Sequence, residues 1–82
     1  MSLRFQVLVR LKEGVLDVQG KAVENGLKDK KFAAIKNIRV GKVIELEVDG
    51  LAKHEARTQV EDVCKLLLAN PVIERYEVKE VA

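Results

Sequence analysis

The chain has 82 residues, room for one domain and too few for a second core. Lys and Arg number 15 against 13 Asp and Glu and are interleaved with them, so the net charge of +2 lacks the concentrated basic excess of a nucleic-acid binder. The apolar runs are too short to cross a bilayer, no charged stretch followed by an apolar one suggests a secretion signal, and a lone cysteine, Cys64, suits a reducing cytoplasm.

Residues 3–12 alternate cleanly: Leu3, Phe5, Val7, Val9 and Leu11 face one way, Arg4, Gln6, Arg10 and Lys12 the other, which predicts a half-buried strand. Leu8 is an apolar residue on the polar face. After the turn "GVLDVQG" (residues 14–20), Val18, Ala22, Val23 and Leu27 recur at helical spacing. The spacing predicts a helix from Asp17, as N-cap, to about Lys30, with Glu24 and Lys28 as a supporting pair.

Residues 35–50, "IKNIRVGKVIELEVDG", read as a hairpin turning at "GK". In its second arm Ile44, Leu46 and Val48 share one face, with Glu45, Glu47 and Asp49 opposite. Ala56, Val60, Val63, Cys64 and Leu67 trace a second amphipathic helix within residues 51–69, supported by a Glu61–Lys65 pair. "NP" at 70–71 stops it, and a last strand places Val72, Tyr76 and Val78 on one face.

This β-α-β-β-α-β order predicts an α+β, ferredoxin-like sandwich: one domain over residues 1–82, two helices on one face of a four-stranded antiparallel sheet. The other sheet face is then left open. It is expected to carry Arg4, Arg10, Arg39, Arg75, Glu45, Glu47 and Glu77 around three aliphatics, Leu8, Val43 and Ile73. Mixed charge around an apolar centre suits a self-complementary contact, so a homo-oligomer, dimer or tetramer, is expected.

The residues offer little chemistry of their own. "GVLDVQG" lacks the third glycine or the Lys-Ser/Thr of a phosphate-cradling loop, and Asp17 would repel a phosphate. His54 has no nucleophile paired with it in the local sequence, and Cys64 sits on the apolar stripe of a helix, where activation is disfavoured. One His and one Cys make no metal set, and the three aromatics, Phe5, Phe32 and Tyr76, are too few to stack a single-stranded nucleic acid. No catalytic, cofactor or metal residue is expected. A small interaction module is the reading that remains.

Three stretches together carry a resemblance: "VRLKEGVLDVQGKAVEN" (residues 9–25), "IKNIRVGKVIELEVDG" (35–50) and "LLANPVIERYEV" (67–78). The chain resembles the PurS family, small subunits of phosphoribosylformylglycinamidine synthase in purine biosynthesis. It departs from the family pattern at Val18, where proline is common, and at Gly26, where alanine is more usual. The resemblance implies a non-catalytic accessory subunit that self-associates and bridges a synthetase subunit and a glutaminase subunit. The assembled complex uses ATP, Mg and glutamine, none bound by this chain, to convert formylglycinamide ribonucleotide to formylglycinamidine ribonucleotide. With the outer-face reading it makes Leu8, Gly14, Asp17, Gln19, Arg39, Val43 and Ile73 the expected subunit contacts. The competing reading is a ligand-binding regulatory dimer of the ACT type.

Overall fold

The alternating stretch becomes the central strand β1 (Ser2–Leu11), and its odd-numbered residues supply the core. The computed structural model describes residues 2–27, 31–32 and 34–81. Next along the chain come helix α1 (Val18–Leu27), strand β2 (Lys42–Asp49), helix α2 (Lys53–Val63) and strand β3 (Glu74–Val81). Both neighbours run antiparallel to β1, in the order β2-β1-β3. The described residues therefore form an α+β fold with two α-helices and a three-stranded antiparallel sheet.

Register sets the two faces. Phe5 lies opposite Leu46 and Val7 opposite Ile44, and on the other side Val7 meets Val78. These side chains point to one face, where α2 lays Ala56, Val60 and Cys64 over them. Phe5, Val7 and Val9 are fully buried, each worth about 1.5–3 kcal/mol relative to exposure. The opposite face carries Arg4, Leu8, Arg10, Val43, Glu45, Glu47, Arg75 and Glu77, as the alternation predicts. Arg39 and Ile73 lie outside the strands.

The hairpin is corrected. Residues 35–41 form no strand, because their polar groups bond elsewhere. Asn37 adopts a left-handed φ of 60°, and its N–H is donated to the Glu24 carboxylate. The N–H of Val40 goes to Asp17, and the Arg39 guanidinium to the Lys12 and Val15 carbonyls. Nor does Gly41 turn a hairpin. It passes so close to β1 that a Cβ there would stand 2.6 Å from the Val9 carbonyl oxygen, which admits only glycine.

The first helix is also corrected. Val18 and Val23 are exposed, as is Ala22, and Gly20 is the buried residue of α1, so this helix does not lie beside α2 on the sheet. The chain is accordingly long, 52 × 27 × 14 Å, with a radius of gyration of 16.4 Å. A compact chain of this length would have about 12 Å. Lys28, named for the Glu24 pair, lies outside the described residues; Glu24 stands 3.8 Å from Lys21 instead. Glu61 likewise pairs with Arg57 at 3.9 Å rather than with Lys65.

After α2 the chain makes a single π-helical turn, Cys64–Leu68, in which the Ala69 N–H reaches back five residues to the Cys64 carbonyl at 3.0 Å. The wider turn rotates the side chains it carries. Leu67, expected on the buried stripe, is 82% exposed beside Leu66 at 78%, while Leu68 takes the half-buried place. Val63 also lies at the surface. Leu67→Ser is therefore expected to move the urea midpoint of the isolated chain by less than about 0.5 kcal/mol equivalent, where a core leucine would cost several. Val72 precedes β3 and is exposed, whereas Tyr76 and Val78 pack inward as expected.

Candidate functional site

Two surfaces gather the expected contact residues. The first is the turn from β1 into α1. Gly14, at φ 85°, lets the chain reverse after Lys12, and the Val15 N–H bonds the Lys12 carbonyl at 3.2 Å. Arg39 spans the turn with a forked guanidinium: Nη1 donates to the Val15 carbonyl at 3.2 Å and Nη2 to that of Lys12 at 3.3 Å.

Asp17 locks this turn to residues 38–40. It is 6% exposed, and its two carboxylate oxygens are both used. Oδ1 accepts the Gly20 N–H at 2.8 Å, the N-cap bond expected from sequence, and Oδ2 accepts the Val40 N–H at 2.6 Å. Gly20 is required by this closure, since a Cβ there would collide with the Ile38 carbonyl oxygen and with Asp17. The bond from Gly20, then that from Val40, hold the Asp17 carboxyl below its ordinary value of 3.8, with help from the Arg39 charge and against the opposing effect of burial.

A lowered carboxyl stabilises the fold above its unfolded-state pKa, and the contribution is lost as pH falls through the folded value. Asp17→Asn is thus expected to lower the melting temperature at pH 7 and to converge on the wild type as pH drops below 3.8. Parallel melting curves over pH 2.5–7 (about five points) test this; a gap that stays constant would refute it.

The second surface is the outer face of the sheet. At one end β2 offers Glu45, Glu47 and Asp49; at the other, Arg10 and Arg75 lie directly opposite one another. Leu8 and Val43 pair between them, with Val43 exposed, and Ile73 flanks β3 at the basic end.

The two sheet edges differ. The Lys12 N–H bonds the Ile73 carbonyl at 2.8 Å, which fixes the phase of the β1–β3 ladder. By antiparallel alternation, the backbone groups of Val43, Glu45 and Glu47 then point away from β1, at the free edge of β2. On β3 one acceptor of the corresponding edge is taken: Arg57 Nη2 donates to the Val78 carbonyl at 3.0 Å, and the same side chain lies 3.9 Å from Glu80 and from Glu61. Lys53 adds a 3.1 Å pair to Glu80. The sequence signals the Arg57–Glu61 spacing but not the reach across to β3.

His54 is exposed near the start of α2, where its backbone carbonyl accepts the Thr58 hydroxyl at 2.9 Å. Cys64 is fully buried, and burial, with the Glu61 charge second, raises its thiol above the ordinary 9.0 and keeps it protonated. Among the described residues no three His, Cys, Asp or Glu side chains are grouped to hold a metal ion, and no helix is long and apolar enough to cross a membrane.

The family model described as "PurS: Phosphoribosylformylglycinamidine (FGAM) synthase" matches residues 4–82. The chain belongs to the PurS family. It is similar to the PurS subunit of phosphoribosylformylglycinamidine synthase from Bacillus subtilis, 41% identical over 80 residues covering 95% of this chain and 94% of that one. The Methanocaldococcus jannaschii PurS subunit is 37% identical over 73 residues, 89% of this chain and 88% of the relative. Among solved structures, the PurS subunit of Thermotoga maritima superposes with a TM-score of 0.89 at 37% identity, covering 99% of this chain and 93% of that chain. A chain of the structure of PurLQS from Thermotoga maritima gives the same TM-score and identity and covers 99% of each chain.

Within this PurS fold, Asp17 is occupied internally, Gly14 and Arg39 shape the turn, and Gln19 is exposed on the first turn of α1. Leu8 and Val43 meet on the outer face. The expected contacts thus fall on two surfaces that meet at the basic end of the sheet.

Proposed function

We propose that this chain is a non-catalytic accessory subunit of phosphoribosylformylglycinamidine synthase, working in the cytoplasm in purine biosynthesis. The observation that carries the reading is the likeness, over nearly the whole of both chains, to the chain in the PurLQS structure. The chain, one PurS domain over residues 1–82, bridges the synthetase and glutaminase subunits. The assembled complex consumes ATP, Mg and glutamine on those larger subunits and converts formylglycinamide ribonucleotide to formylglycinamidine ribonucleotide.

Self-association is part of this proposal. Among the described residues, a single copy packs α1 only on residues 38–40, leaves Ile44, Leu46 and Val48 half-buried and gives the outer edge of β2 no strand partner. A second copy that lays its residues 35–40 along that edge and its α1 beside α2 gives each half the four-stranded, two-helix ferredoxin-like arrangement. Leu8, Val43 and Ile73 on the outer face then meet further copies or partners, and Gly14, Gln19 and Arg39 are offered to the larger subunits.

Co-expression with the synthetase and glutaminase subunits of the same source, followed by size exclusion with ATP, Mg and glutamine, tests the bridging role. One peak containing all three chains is expected, with glutamine-dependent activity that collapses when this chain is omitted. Full activity without it would overturn the reading. Light scattering of the isolated chain is expected to give a dimer or tetramer, and a monomer at micromolar concentration would refute the exchange of α1.

A further inference from the structure

The basic end of the outer face is a groove, and its charge is not balanced from within. It encloses about 620 Å³, with Leu8 and Val43 among its lining residues and Arg10, Arg39 and Arg75 around them. Arg10 and Arg75 are register partners on neighbouring strands, so two guanidinium groups share one face, an arrangement that costs stability when nothing lies between them. Arg10 has only a 3.9 Å approach to Glu77, and among the described residues Arg75 makes no ion pair or side-chain hydrogen bond. Among the described residues Glu13 is the one carboxylate that lines the groove, and Lys42 adds a fourth cation to it.

Arg39 differs from the other two because it is already fixed. Its fork is tied to the carbonyls of Lys12 and Val15, which uses two of its five N–H groups and holds the rest at the groove. A pre-positioned guanidinium loses little entropy when it binds, and guanidinium forks match phosphate oxygens with paired, charge-assisted bonds. A carboxylate has two oxygens, enough for one such fork. Three forks on separate segments suit an ion with more oxygens and more charge. No aromatic residue lines the groove, so nothing there would recognise a nucleobase.

We propose that this groove binds a phosphate-type polyanion through Arg10, Arg39 and Arg75, recognising the phosphate oxygens alone. Because the groove shares Leu8, Val43 and Arg39 with the proposed subunit contacts, the inference concerns the chain before those contacts form.

Isothermal calorimetry of the isolated protein with pyrophosphate and tripolyphosphate at low salt tests it. Saturable binding at one site per chain is expected, weakened about tenfold or more by Arg75→Gln and by Arg10→Gln. Arg75→Lys is expected to keep part of the affinity. Arg4→Gln, on the same face but outside the groove, should bind as the wild type does. Matching melting curves establish that the variants are folded. Absence of saturable binding, or equal loss with Arg4→Gln, would overturn the proposal. ATP is expected to bind no tighter than tripolyphosphate; a clear preference for ATP would overturn recognition by phosphate alone.

Discussion

Gly20→Ala is expected to destabilise the chain while Gly26→Ala stabilises it, although both glycines lie in the same helix. Helix propensity favours alanine at either position by up to about 1 kcal/mol. At Gly26 nothing among the described residues lies within 4 Å of the added carbon, so propensity acts alone. At Gly20 the added carbon meets the Ile38 carbonyl oxygen and lies 2.6 Å from Asp17 Oδ2. Neither neighbour can rotate away without breaking the Gly20–Asp17–Val40 bridge, and forced overpacking of this kind costs about 1–3 kcal/mol. The clash exceeds the propensity gain. Hydrogen exchange is expected to show lost protection at Gly20, Lys21 and Val40 with unchanged protection at Phe5 and Val7. Retained protection at Val40 would refute the bridge.

Phe5→Ala carries the other large effect. Phe5 sits at the centre of β1, 1% exposed, against Leu46 and under α2. Its removal is expected to cost about 3–5 kcal/mol, out of a total of about 4–12 kcal/mol for a chain of this length. The variant should be largely unfolded in urea concentrations that the wild type tolerates. Phe32→Ala makes the contrast: Phe32 is half exposed and outside the core cluster, so its loss should cost less than about 0.5 kcal/mol in an isolated copy. Comparable midpoints for the two variants would contradict the placement of the core.

Local patterns are legible in the sequence where the forces are local. The period of two in β1 and β2 reports faces correctly, because a strand buried on one side leaves no other choice. The Asp17 cap is legible too, since an N-cap bond spans three residues. The PurS resemblance rests on these same stretches, and it reaches the family where residue chemistry stops at an interaction module.

The hidden features depend on partners distant in the chain. Residues 35–40 carry the composition of a strand, yet Glu24 in α1 and Asp17 beside it claim the N–H groups of Asn37 and Val40, and Asn37 takes a left-handed φ of 60°. Val18 and Val23 have the spacing of a buried stripe without a surface beneath them in one copy. Leu67 falls off its stripe because a π turn shifts the phase after Cys64, and the sequence repeat before it gives no warning. The arginine groove is hidden for a simpler reason: Arg10, Arg39 and Arg75 are scattered in sequence, and only the register of β1 against β3 brings the first and last together.

The bond from Arg57 to the Val78 carbonyl makes the two edges of the sheet unequal. Head-to-tail addition of sheets needs two receptive sides on every molecule, and that guanidinium occupies an acceptor on one of them. An occupied acceptor on the β3 side works against open-ended addition of sheets, and so against fibrils.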